Sequence, residues 1–276
     1  MNIAPKRELP KLYKITLRNW YKKNYASLEG TNSLGKVYLF ADEISNYNDV
    51  TIGITSIKLL KKLGYEVIIP KHEESGRPAL SKGILDYAKK VATTNVTVLH
   101  DLISEETPLL GIEPSAILTF RDEYPRLVDQ SLTAHAKKLA KSTLLIDEFL
   151  AQEIKKGKIS SSLFTEKPQQ VLLHGHCIQK ALSSVDVSKE LLSLPKNYEV
   201  EVIPSGCCGM SGSFGYDKDK YDVSMQIGEL VLFPKIREAK PNTIIAAPGT
   251  SCRHQIKDGT NEVALHPVDV LWNALK

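Results

Sequence analysis

Along the chain, short apolar runs alternate with polar loops and with longer segments whose apolar residues recur at helical spacing. KVYLFADE (Lys36 to Glu43) reads as a buried strand, followed by a polar loop and a helix near Val50 to Leu63 that closes on Gly64. YEVIIP (Tyr65 to Pro70) predicts a second strand, HEESGRPALSKG a loop, and the residues from Ser81 to about Asn95 a helix. LLGIEPSAILTF (Leu109 to Phe120) predicts a third strand ending at Glu113–Pro114. Ser131 to Ile154 then reads as helical and gives way to a Gly/Ser/Lys-rich turn region, Lys156 to Ser162.

The second half repeats that order. A strand at Gln170 to Leu173 is followed by a polar loop, a helical segment to about Leu194, the strand YEVEVIP (Tyr198 to Pro204) and the loop SGCCG. A long helix over roughly Asp219 to Ala239, the strand and loop TIIAAPGTS, and EVALHPVDVLWNAL (Glu262 to Leu275), a short strand with a final helix, complete it. YEVIIP with SGRP matches YEVEVIP with SGCCG in both sequence and position, so the halves read as copies of one strand–loop–helix unit. Strands joined by helices predict an α/β fold of two pseudo-repeated units with parallel sheets, and put the loops of interest at the carboxyl ends of the strands. The expected organisation is an N-terminal connector arm over residues 1–35, a first repeat over 36–165 and a second over 166–276. The arm rests on two prolines, a Lys/Arg-rich amphipathic stretch and the polar break Glu29 to Lys36.

Composition narrows the class. At 42% hydrophobic and 25% charged residues in 276, the chain has the make-up of an ordinary globular protein with a normal core. It has no apolar run of bilayer length, and the basic N-terminus has neither the apolar core nor the cleavage site of a secretory signal, so a cytoplasmic, reducing location is expected. Peripheral attachment to an inner membrane through partners is compatible with that. A net charge of +4 without aromatic–basic alternation gives no sign of nucleic-acid binding.

All four cysteines lie in the second repeat, each at the end of a strand-like run: Cys177 in VLLHGHC, the pair Cys207–Cys208 in SGCCGMSG, and Cys252 in PGTSC. Disulfides are disfavoured in a reducing compartment, and an adjacent Cys–Cys bridge is strained. Thiolates from three distant loops match a bound metal, either an iron–sulfur cluster or tetrahedral zinc. The two C-x₂₋₄-C knuckles of a zinc ribbon are missing, which favours the cluster. Thiol–disulfide catalysis has no C-x-x-C motif to support it.

Other residues are candidates for the surroundings of that centre. Gly209 and Gly212 either bring backbone N–H groups onto sulfur or make a tight turn into the next helix; the two roles are compatible. His174, His176 and His254 flank the cysteines as hydrogen-bond donors or replacement ligands, and Arg253 and Lys180 could offset thiolate charge. In the first repeat, Glu43, Glu74–Ser75 and Ala116 fall opposite Cys177, Cys207–Cys208 and Cys252. Glu74, Ser75, Arg77, Glu113, Arg121, Asp122 and Glu123 cluster there as an ion-pair network or an anion site. No catalytic residue can be named.

The pattern HGHC…GCCGMSGSFGY…GTSCRHQI resembles the CCG-type cysteine-rich domain found in the B subunit of heterodisulfide reductase and in the iron–sulfur parts of glycolate oxidase and FAD-linked D-lactate dehydrogenases. The likeness covers about Lys36 to Lys276 as a tandem, and the arm resembles the connector that follows a ferredoxin-like region in fused FAD oxidases. It implies Cys177, Cys207, Cys208 and Cys252 as ligands of an iron–sulfur cluster, of the 4Fe-4S type. It also implies a flavoprotein dehydrogenase and a ferredoxin-like domain as partners, and electron transfer in lactate- or glycolate-type oxidation as the role. The family's motif often ends C-x-x-C, whereas Cys252 is followed by Arg253, His254 and Gln255, which argues against a five-cysteine cluster. No FAD-binding sequence is recognisable, so FAD belongs on a partner or on another region. The alternative is a zinc-binding or metal-free assembly domain that docks a flavoprotein.

Overall fold

The computed structural model describes residues 2–276. They form two compact units, Lys11–Gln152 and, separately, Met1–Pro10 with Glu153–Lys276. Each is α/β with a parallel sheet, as the strand pattern predicts.

In the unit Lys11–Gln152, the strands β1 (Gly35–Phe40), β2 (Tyr65–Ile68), β3 (Leu109–Gly111) and β4 (Thr143–Leu145) lie in the order β2-β1-β3-β4, all parallel. Val37, Leu39, Phe40, Val67, Leu109 and Leu110 are buried on both faces, which is why these strands read as unbroken apolar runs. The helix Val50–Lys62 covers the sheet with Ile57, Leu59 and Leu60. Two expectations are corrected here. The stretch Ser131 to Ile154 is interrupted by β4, a three-residue strand between the helices Thr133–Lys141 and Ile146–Lys155. Residues 1–35 are also not a simple lead-in arm. The helix Leu17–Asn24, capped by Thr16, buries Leu17 against Gly53, where a Cβ would stand 2.5 Å from the Leu17 side chain.

In the other unit, β5 (Gln169–Leu173), β6 (Tyr198–Val202) and β7 (Ile244–Ala246) lie in the order β6-β5-β7, again parallel. This is the β2-β1-β3 order over again: each unit has its first strand in the middle. The expected strand after Glu262 is a single parallel bridge between Ala246 and Leu265. The expected helix Asp219 to Ala239 is two helices, Tyr221–Glu229 and Leu232–Arg237, broken where Val231 leaves helical geometry. One core cluster joins Ile203, Met210, Phe233, Ile245 and Ile256 with Cys208 and Cys252.

The shared order places equivalent positions alike. Cys177 is the first residue of the helix Cys177–Leu182 after β5, and Glu43 the first residue of the helix Glu43–Tyr47 after β1. Cys252 is the third residue of the helix Thr250–Thr260, and Ala116 the third of Pro114–Ile117. Between the first and third strands of each unit, the chain crosses from one side of the central strand to the other, the point at which open α/β sheets build sites.

Candidate metal centre

Three strand ends bring the cysteines together. After β5 the chain runs His174-Gly175-His176-Cys177, and the His176 ring caps the following helix, its Nδ1 accepting from Ile178 N at 3.2 Å. After β6, Ile203 N still donates to Leu173 O at 2.8 Å, which holds the SGCCG loop beside β5. After β7, Gly249 lets the His176 ring lie against the backbone, since a Cβ there would stand 2.3 Å from His176 Cδ2.

All four cysteines are free thiols, and their sulfurs make one continuous chain of contacts, Cys177 to Cys207, Cys207 to Cys208, and Cys208 to Cys252. Cys208 and Cys252 are buried, and Cys177 is exposed. Thiol hydrogen bonds from Cys177 and Cys208 push the Cys207 pKa well down. A hydrogen bond from Cys208, with His174 adding to it, likewise lowers Cys252. Cys177 and Cys208 are pushed up, first by hydrogen bonding to Cys207 and then, among other causes, by burial. Hydrogen bonding among the sulfurs thus favours thiolate within the group, and thiolate is the form that binds metal.

Of the two glycines, only Gly209 brings its N–H onto a sulfur. Gly209 has φ +98° and its N–H donates to Cys207 Sγ at 3.3 Å, while Gly212 has φ +61° in the turn before the helix. A Cβ on Gly209 would stand 2.2 Å from Ser224 O and 3.0 Å from Gln255 Nε2. Gly209→Ala is accordingly expected to cost about 1–3 kcal/mol, from a left-handed backbone that must also move off a carbonyl. A lowered urea midpoint with unchanged helicity would check it, and a loss under about 0.5 kcal/mol would mean that the loop yields.

The flanking cations and histidines have definite partners. Lys180 Nζ donates to Ser205 O and to Gly206 O, the latter at 2.8 Å, clamping the loop before Cys207 to the Cys177 helix. Burial lowers the Lys180 pKa against the raising pull of all four cysteines, so a charged lysine here favours thiolates. Arg253 donates to Ala247 O and Pro248 O at 3.0 and 2.7 Å. His254 Nδ1 meets Tyr216 OH at 2.8 Å. His174, Cys208 and Cys252 form a group with ligating atoms all within 4.8 Å of one another. Sequence reasoning misses Ser205, which meets His174 Nδ1 at 2.7 Å, and Arg7, whose guanidinium is bonded to Ser224, Gln255 and Asp258 around the same loop. A serine before the CC pair and one arginine in a basic stretch give no signal of their own.

Donor chemistry agrees with a soft metal centre: four sulfurs linked in a chain of neighbours, plus a buried imidazole nitrogen, His174 Nε2, with no hydrogen-bond partner. The equivalent place in the other unit is closed by its own residues. Glu43 accepts from Ser75 N at 2.9 Å and from Ser75 Oγ at 2.6 Å. Arg77 pairs with Glu123 at 2.5 Å, Arg121 with Glu148 and Arg126 with Asp122, while Glu113 caps its helix through Ser115. The acidic and basic residues expected to cluster there make an ion-pair and capping network.

No family model matches the chain. It is 28% identical over 277 residues to the C subunit of anaerobic glycerol-3-phosphate dehydrogenase of Escherichia coli (strain K12), an alignment that covers 100% of this chain and 67% of that protein. D-2-hydroxyglutarate dehydrogenase of the same organism is 25% identical over 251 residues, which take in 91% of this chain but only 24% of the enzyme. Lactate utilization protein A of Macrococcus caseolyticus (strain JCSC5402) is 27% identical over 202 residues, 71% of this chain and 77% of that protein. The chain is thus similar along its whole length to a subunit of one dehydrogenase and over most of its length to about a quarter of another.

Proposed function

We propose that the chain is the iron–sulfur electron-transfer module of a flavin-linked oxidoreductase acting on a 2-hydroxy acid, with Cys177, Cys207, Cys208 and Cys252 holding a 4Fe-4S centre. The observation that carries this reading is the convergence of sulfurs from three strand ends. An iron–sulfur centre, when bound, supplies one-electron uptake and release. The residues of the chain supply the rest. The Gly209 N–H stabilises charge on Cys207, Lys180 holds the loop and offsets thiolate charge, and Met210 and Ile256 keep water from the buried side.

Similarity to a dehydrogenase subunit and to part of a dehydrogenase supports an oxidoreductase role. The names D-2-hydroxyglutarate dehydrogenase and lactate utilization protein A favour a 2-hydroxy acid as the substrate class. In this reading the substrate is oxidised on the FAD of a partner, which passes its electrons singly to the centre and on to a ferredoxin-like acceptor. Among the described residues no helix is long and apolar enough to cross a membrane.

Anaerobic reconstitution with iron and sulfide tests the proposal. The expected product has visible charge-transfer absorption, iron and sulfide in near-equal amounts, and a colour lost in Cys207→Ser. A colourless protein holding stoichiometric zinc would refute it and leave the zinc-bound assembly domain as the reading; the tight group of His174, Cys208 and Cys252 suits that ion too.

A further inference from the structure

The three histidines beside the cysteines differ in what their second ring nitrogen meets. His176 spends Nδ1 on its helix cap and lays its ring on Gly249. His254 turns Nδ1 to Tyr216. His174 is fully buried at the end of β5, its backbone N–H bonded to Ala246 O at 2.8 Å and its Nδ1 to Ser205 Oγ at 2.7 Å. Its Nε2 is buried with no hydrogen-bond partner, and a ring nitrogen of His174 lies within 4.8 Å of Cys208 Sγ and Cys252 Sγ.

A buried polar nitrogen left without a partner costs about 1–3 kcal/mol, and such groups in folded proteins call for an occupant. An imidazole held at Nδ1 by a hydroxyl, with Nε2 unpartnered beside two buried cysteines, has the arrangement of a metal-ligating histidine whose other nitrogen is fixed by an outer hydrogen bond. Ligand atoms on a tetrahedral ion stand about 3.5–3.8 Å apart given the usual metal–sulfur and metal–nitrogen lengths, so a small contraction would let this group hold a single cobalt(II) or zinc ion, whereas on a cluster each of the three donors would serve a different iron.

We infer that His174 is a nitrogen ligand of the centre, binding through Nε2 beside Cys208 and Cys252, and that Ser205 is its positioning residue. The inference rests on the metal-centre reading and deepens it: the donor set is mixed sulfur and nitrogen. The site would take iron, cobalt(II) or zinc, borderline ions that accept both donor types.

Cobalt(II) titration under anaerobic conditions, read by thiolate-to-cobalt absorption, tests the ligand independently of cluster assembly. His174→Gln, which keeps an amide for Ser205, is expected to weaken cobalt(II) binding at least about tenfold, and Ser205→Ala to weaken it less. In wild-type protein labelled with ¹⁵N-histidine and reconstituted with iron and sulfide, pulsed EPR of the reduced centre should show one strongly coupled histidine nitrogen, absent in His174→Gln. Wild-type affinity in His174→Gln, or a coupling that persists in it, overturns the inference while the cluster reading stands. Cobalt(II) binding that depends on His174 in a protein that assembles no cluster does the reverse. A wild type that takes up neither overturns both. Should His174→Gln not fold, the nitrogen coupling of the wild type decides alone: its presence supports the ligand and its absence overturns it.

Discussion

Arg7→Met should cost the unit containing Met1–Pro10 and Glu153–Lys276 about 3–5 kcal/mol, the range for stripping one partner from a buried charge network. The Arg7 side chain is 0% exposed and pairs with Asp258 at 2.6 Å. Its remaining N–H groups go to Gly215 O at 2.8 Å, Ser224 Oγ at 3.0 Å and Gln255 Oε1 at 2.5 Å, and its guanidinium lies 5.0 Å from the Tyr221 ring. Methionine fills the volume and leaves all four acceptors in place, the Asp258 carboxylate among them, so the loss is electrostatic rather than a cavity. Two further backbone bonds, Ala4 N to Tyr216 O at 2.8 Å and Lys218 N to Asn2 O at 2.9 Å, fasten the same strap beside the turn that follows the CC pair. Urea unfolding followed by Trp272 fluorescence in a Trp20→Phe background reads this unit alone. Arg7→Lys should recover the ion pair but not the fork of bonds, and fall between the two. A loss below about 1 kcal/mol for Arg7→Met would mean that water replaces the network at little cost.

Acid should weaken the unit Lys11–Gln152 through His72. That ring stacks on Phe40 at 4.1 Å, accepts from Ala41 N at Nε2 (3.1 Å) and meets Glu73 O at Nδ1 (2.5 Å), so the neutral form uses both nitrogens. Burial, and after it the charge of Arg18, lower its pKa from 6.5 to about 3. A depressed histidine favours folding while the unfolded chain is also neutral. Below about pH 6.5 the unfolded state binds a proton that the folded state refuses, and stability falls by about 1.4 kcal/mol per pH unit until the folded pKa is reached. Asp42 and Glu43 act in the opposite sense, because burial raises both and their protonation in the fold becomes favourable as pH falls. Comparing wild type with His72→Gln cancels that opposing share. Between about pH 6 and about pH 4 the wild type should lose about 2 kcal/mol more than the variant, measured by urea unfolding of Trp20 in a Trp272→Phe background. Parallel pH profiles for the two proteins would show that His72 is protonated in the fold.

The strands that position the site were legible because both faces of each are covered, so Lys36 to Glu43 and Tyr198 to Pro204 announce themselves as apolar runs with turn residues at their ends. β4 was not. Thr143–Leu145 sits between two amphipathic helices with no glycine or proline at either side, and only its pairing with β3 makes it a strand. The break at Val231 did leave a trace, Pro234, which sits in the first turn of a new helix and not in the middle of a long one. At the site, the cysteines stood out by their spacing, and the equivalence of Glu43 with Cys177 and of Ala116 with Cys252 could be read from strand alignment. What separates His174 from His176 could not, since both flank Cys177 in sequence and differ only in what each ring meets. Arg7 was hidden for a similar reason: its partners lie at positions 215, 224, 255 and 258, and no local pattern joins them.

The hydrogen bonds from Ser75 to Glu43 set the first unit apart from the second. A carboxylate and a hydroxyl satisfy each other at that strand end, so its loops close without an ion. The folding of the unit Lys11–Gln152 should therefore be indifferent to chelators, with the same urea midpoint for Trp20 whether or not metal is supplied.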